Sequence, residues 1–279
     1  MNELLLRLGH SVGHKVLGFY AQSEHGIGRG NPDIQDYIMH HVKDQVVIPF
    51  HLLGIDLSIT KHVIMLWLAA MVLMISLPLI VRSKSLIPRG PINFVEWIIV
   101  FLKENVIEPY LGRDANRYAP YFLTAFFFVI TCNLLGLVPM GSTATGDISV
   151  TIALALFTMF LVQYSAIKQN GVVGYLKSFV PSNVPQIMVP IIFIVEVMSM
   201  LTKHFALAIR LFANMVAGHL VIFTILSLIF MFKNFLVSPF PVFGIIFISL
   251  LEILIALIQA YIFTVLSAVF LGLAIRPNH

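Results

Sequence analysis

Residues 186–232 run for more than 40 residues with no strong helix breaker after Pro190. A straight helix of about 40 residues is about 60 Å long. The hydrocarbon core of a bilayer is only about 30 Å thick. Such a helix must lean far over or break to stay in a membrane. After the turn KNFLVSPFP, residues 242–275 repeat the pattern, with over 30 mostly apolar residues interrupted by Glu252 and Gln259. The two runs predict a long helical hairpin. Ordinary spans tilt by about 20° on average and need no such length. A strongly tilted pair instead suits a position across the side of a large neighbour.

Composition agrees with an all-α integral membrane protein: 59% of residues are hydrophobic and 11% charged, with a mean hydropathy of +0.95. Five membrane segments are expected, at about 61–81, 118–140, 148–167, 186–232 and 242–275. They form a membrane domain, 60–279, behind an N-terminal extramembrane segment, 1–59. That segment opens on LLLRLGHSVGHKVLGFYA, whose apolar run is broken by Arg7, His10, His14 and Lys15. It reads as a surface amphipathic helix and not as a signal peptide. His10 and His14 have a metal-like spacing but no acid or cysteine beside them, so no metal is expected. His40, His41 and His51 read as a solvated surface, and residues 33–60 as short strands or turns. Residues 94–112, FVEWIIVFLKENVIEPYLG, carry too many charges for a span and read as an interfacial amphipathic helix. Cys132 is the lone cysteine, which excludes an intrachain disulfide and reads as packing.

Inside the first long run, EVMSMLTKHFALAIRLFANMVAGHLV carries Glu196, Lys203, His204, Arg210, Asn214 and His219. An arginine within a span marks a functional site by default. Glu196, Lys203 and Arg210 recur every seven residues and share a stripe, with Asn214 one turn on. Ala206, Ala213 and Ala217 flank it, and small residues admit a close partner helix. The plainer alternative pairs Arg210 internally with Glu196 or Glu252. Ser249, Glu252, Ala256 and Gln259 form a second stripe. In a hairpin, Gln259 is expected opposite Arg210, and His219 near Glu252 toward the turn. A histidine carries a proton near neutral pH, so the pair reads as an outer proton path. Its plainer alternative is a buried pair that only satisfies two polar groups. Asn133, in the second span, is expected to bond across to another helix.

No GxxxxGK[ST], HExxH, GxSxG or CxxCH motif occurs, and no nucleophile constellation is apparent. Covalent chemistry and cofactors are not expected. The net charge of +4 is spread over loops and argues topology, not nucleic-acid binding. Arg82, Lys84, Arg89, Lys103, Arg113 and Arg117 occupy one loop, Lys168 and Lys177 another, and Arg276 follows the last span. Residues 140–147 contain no lysine or arginine, and the last turn has only Lys233. The positive-inside rule then puts the N-terminus outside and the C-terminus in the cytoplasm.

The segments LTKHFALAIRLFANMVAGHLV and IALIQAYIFTVLSAVFLGLAI resemble subunit a of the F-type ATP synthase membrane sector. The likeness extends to NFVEWI and to NLLGLVP, with Asn133 and Pro139, and leaves out about the first 30 residues. It implies a non-catalytic stator subunit with two offset proton half-channels. Its partners would be a ring of c subunits, each with a membrane carboxylate, b-type peripheral stalk subunits, the rest of the synthase and lipid. It matches Arg210 to the essential arginine, Asn214 to the nearby asparagine and Gln259 to the glutamine facing the arginine. It matches Glu196, His219 and Glu252 to the polar positions of the two routes. Lys203, Ser249 and Asn133 are supporting positions, and the bacterial inner membrane is the expected location. A stand-alone transporter or channel is the alternative, though neither long run carries a mid-span Gly/Pro break and only one intramembrane arginine is present.

Overall fold

A computed structural model describes residues 46–48, 51–52, 55–56, 59–81, 90–138, 143–179, 185–232 and 239–276. Residues 44–279 fall into one compact unit. The expectations for the amphipathic N-terminus, His10, His14, His40, His41, the basic residues 82–89, Pro139 and the turn 233–238 lie outside the described residues. So does the side chain of His51.

Among the described residues four short strands come first: β1 (Val46–Ile48), β2 (His51–Leu52), β3 (Ile55–Asp56) and β4 (Ile59–Thr60). β1 pairs antiparallel with β4, and β2 with β3. From Lys61 onward every described element is helical: α1 (Lys61–Val81), α2 (Pro91–Leu102), α3 (Glu108–Leu111), α4 (Ala115–Gly136), α5 (Ile148–Ser178), α6 (Val189–Phe232) and α7 (Pro239–Ile275). Among the described residues five stretches are long and apolar enough to cross a membrane, and the chain is a multi-pass membrane protein. At 44 and 37 residues, α6 and α7 are about 66 and 56 Å long at 1.5 Å per residue. Both are continuous helices and they pack on each other.

The second apolar stretch, Ile92–Gly136, is not one helix. A π-turn at Lys103–Ile107 interrupts it, and Gly112 breaks it again with φ 53° and ψ −118°. The π-turn brings Lys103 within 3.8 Å of Glu108 while Val106 and Ile107 stay buried. This reconciles a charged segment with a packed one. Leu102, Val106, Ile107 and Leu111 join Phe122, Phe126, Val129, Leu207, Leu211, Phe263 and Leu271 in one core. The large apolar side chains of Trp67, Met74, Phe160, Ile194 and Leu250 point outward instead, as a bilayer or a partner subunit requires.

α5 differs from expectation. It continues to Ser178, through a kink at Gly171 with φ 70° and ψ 165°. Hydropathy falls at Lys168, where the span was expected to end, but the helix goes on, because Lys, Gln and Asn do not break a helix. Asn170 anchors this extension by donating to the Ala274 carbonyl of α7 at 3.1 Å.

Candidate polar sites on the long hairpin

α6 presents two faces. Leu207, Ala208, Leu211 and Met215 are buried, and on the opposite side Ala206, Arg210, Ala213 and Ala217 are exposed. The apolar positions that face the bundle recur at helical spacing and leave the arginine on the open side. None of the ion pairs among the described residues includes Arg210. Glu196 is taken by Lys203 at 4.0 Å, and Glu252 lies 3.7 Å from His219. The internal pairing weighed for Arg210 is therefore not made with either acid.

The stripe on α7 turns inward: Glu252, Ala256 and Gln259 are all buried, with Ser249 partly so. Gln259 accepts a hydrogen bond from the Asn214 amide at 2.7 Å. Its hydrogen-bond partner is Asn214, one turn beyond Arg210. Residue periodicity sets the face, but the register of two packed helices decides which rung meets which.

Toward the turn of the hairpin the polar groups cluster. The Nδ1 of His219 faces Oε1 of Glu252 at 3.7 Å, which is too long for a hydrogen bond. Both Glu252 oxygens are buried and lack a hydrogen-bond partner among the described residues. A buried, unsatisfied carboxylate calls for an explanation, and transient proton carriage is one. Gly218 makes room for it, since a Cβ there would lie 2.6 Å from Glu252 Oε1.

The other side of His219 is held by a segment read from sequence only as a turn. Asp147 caps α5 by accepting from the Ser149 N–H at 2.8 Å. The short helical turn Ala144–Gly146 before it is folded into the bundle, with Thr143, Ala144 and Thr145 buried. Thr143 Oγ1 is hydrogen-bonded to Nε2 of His219. The Thr143 carbonyl accepts from Nδ1 of His62 on α1 at 3.0 Å. Thr145 donates to Asn133 Oδ1 at 2.8 Å, and Asn133 donates to the Ala256 carbonyl at 3.4 Å. Asn133 thus bonds across to another helix, as expected. Thr143, Thr145 and His62 escape sequence reasoning because a short polar loop and one histidine at a helix start look solvated. The absence of lysine and arginine from residues 140–147 is the one available signal that the loop is not an ordinary surface turn.

At the other end of α6, Glu196 and Lys203 remain about half exposed. His204 is buried, donates Nδ1–H to the Met200 carbonyl at 2.9 Å and packs on Phe270. Among the described residues no group of three or more His, Cys, Asp or Glu could hold a metal.

The sequence model of the ATP synthase A chain family matches residues 63–272. The chain is 44% identical over 230 residues to ATP synthase subunit a of Chloroherpeton thalassium, covering 80% of this chain and 68% of the relative. It is 43% identical over 263 residues to ATP synthase subunit a 2 of Chlorobaculum tepidum, covering 86% and 72%. It is 41% identical over 279 residues to ATP synthase subunit a of Chlorobium phaeobacteroides, covering 91% and 79%.

Proposed function

The chain belongs to the ATP synthase A chain family, and on that premise we propose that it passes protons through two offset half-channels and couples them to rotation of a c-subunit ring. As a family member it is a membrane component of the synthase, serves ATP synthesis and proton transport, and is not catalytic alone. The observation that carries the finer reading is Arg210. It is a cation deep in an apolar helix, on an exposed face of small residues, and it forms no ion pair among the described residues, while Glu196 pairs with Lys203 and Glu252 lies beside His219. Such a cation is left for a partner's carboxylate. A carboxylate next to a cation favours its charged form, so a ring site arriving at Arg210 releases its proton. Arginine stays protonated and relays nothing itself, so it also separates the two routes.

His219 and Glu252 form the outer route and load the ring. Glu196 and Lys203, two to four turns before Arg210 on α6, line the inner one. Asn214 and Gln259 brace the helices between them. The c ring packs on the Arg210 face, and b-type stalk subunits hold the chain as a stator. The N-terminus is periplasmic and the C-terminus cytoplasmic, in a bacterial inner membrane, which the basic loops support.

The test is Arg210→Ala in assembled membranes, read as ATP-driven proton pumping and as passive proton permeability after the soluble sector is stripped. Pumping is expected to vanish and a leak to appear. Arg210→Lys is expected to uncouple too, because a compact ammonium lacks the planar multi-donor geometry. Pumping by Arg210→Ala near the wild-type rate would remove the central assignment.

A further inference from the structure

The loop before α5 reaches the outer route directly. Thr143 is buried, its hydroxyl is bonded to Nε2 of His219, and the other nitrogen of that ring faces Glu252. Three contacts fix Thr143 itself. Its carbonyl accepts from the Gly146 N–H at 2.9 Å and from Nδ1 of His62 at 3.0 Å. A carbonyl only accepts, so His62 carries its proton on Nδ1. Its side chain fills the space that a Cβ on Gly136 would occupy, 2.6 Å from Thr143 Cβ.

We propose that Thr143 is a positioning residue of the outer proton route: its hydroxyl holds His219 so that Nδ1 faces Glu252 in both protonation states of the ring. The chemistry lies in the hydroxyl oxygen, which accepts from Nε2–H. When His219 is charged, Nε2–H donates to that oxygen and Nδ1–H faces Glu252. When Nδ1 gives its proton to a Glu252 carboxylate oxygen, the neutral ring keeps Nε2–H on the same hydroxyl oxygen, and the next proton arrives at the bare Nδ1. The ring need not turn over between the two states, so one group serves the whole cycle. A methyl in place of the hydroxyl serves neither state. His62 ties this device to α1, which sequence reasoning leaves with no role beyond spanning the membrane.

The inference rests on the outer route proposed above, and His219→Ala tests that route separately. The experiment compares Thr143→Val and Thr143→Ser in assembled membranes, with ATP-driven pumping normalised to the amount of assembled subunit. Val keeps the shape and loses the hydroxyl, while Ser keeps the hydroxyl and loses a methyl. Thr143→Val is expected to pump about tenfold more slowly, the factor set by one lost buried hydrogen bond. Thr143→Ser is expected to retain clearly more than Thr143→Val. A role in packing alone orders the two variants the other way, and that order overturns the inference. Equal rates for the two variants also overturn it. If Thr143→Val does not assemble, Thr143→Ala replaces it, and pumping by Thr143→Ala equal to that of Thr143→Ser is the overturning result. Normal pumping by His219→Ala removes the outer route and this inference with it. Impaired His219→Ala beside normal Thr143→Val removes the inference alone.

Discussion

Gly218→Ala is the smallest change that reaches the buried carboxylate. A Cβ at this position would lie 2.6 Å from Oε1, 2.9 Å from Cδ and 3.3 Å from Cγ of Glu252. Unstrained carbon–oxygen contacts begin at roughly 3.3 Å, so Oε1 must retreat by about 0.7 Å. Glu252 is only 2% exposed, so there is no open space to retreat into. Inserting a methyl into a filled interior costs about 1–3 kcal/mol. That strain is relieved only by displacing Glu252 together with its neighbours, which disturbs its 3.7 Å approach to His219. Each 1.4 kcal/mol against a conformer lowers its population about tenfold, so the loading geometry falls to roughly a tenth or a hundredth of its wild-type share. ATP-driven pumping in inverted vesicles, normalised to assembled subunit, is expected to drop by about the same factor. Gly244→Ala is the matched control in the same hairpin, because its Cβ would meet only Ile225, at 3.8 Å. The reasoning fails if Gly218→Ala pumps as well as Gly244→Ala while Glu252→Ala is impaired.

Two further outcomes are expected. Exchanging the outer pair, His219→Glu with Glu252→His, retains more proton transport than either single substitution to Ala, because the pair hands on one proton in either order; equal losses in pumping assays would count against a shared route. Gly112→Ala lowers the melting temperature of the purified assembly more than Gly90→Ala does. Both glycines have positive φ, where a side chain is strained by about 1–3 kcal/mol, but only at Gly112 does the new Cβ also meet Arg276, 2.7 Å from Nη1. Equal melting shifts would refute the contact.

Much of the architecture is local and therefore legible in the chain. Apolar length fixes that 61–81, 186–232 and 242–275 are membrane helices, because the bilayer accepts only segments that satisfy their own backbone. Helical period alone puts Lys203, Ala206, Arg210, Ala213 and Ala217 toward one side, and they are exposed together in the folded chain. The same argument groups Glu252, Ala256 and Gln259, which are buried together. Period gives a direction around one helix and says nothing of the neighbour's height. Interdigitating side chains set that height, and they bring Gln259 to Asn214. Helix ends are also poorly marked, since hydropathy reports the edge of the membrane. α5 accordingly outruns the expected span, to Ser178. The least legible part is Thr143. Its loop is polar and short, and only its lack of lysine and arginine sets it apart from a surface turn. Only tertiary structure decides that α1, α4 and α6 enclose it, where His62 holds its carbonyl, Gly136 leaves space for its side chain and His219 takes its hydroxyl. Contacts between residues 76 and 81 positions apart leave no periodic trace in a chain, because each depends on the docking of whole helices.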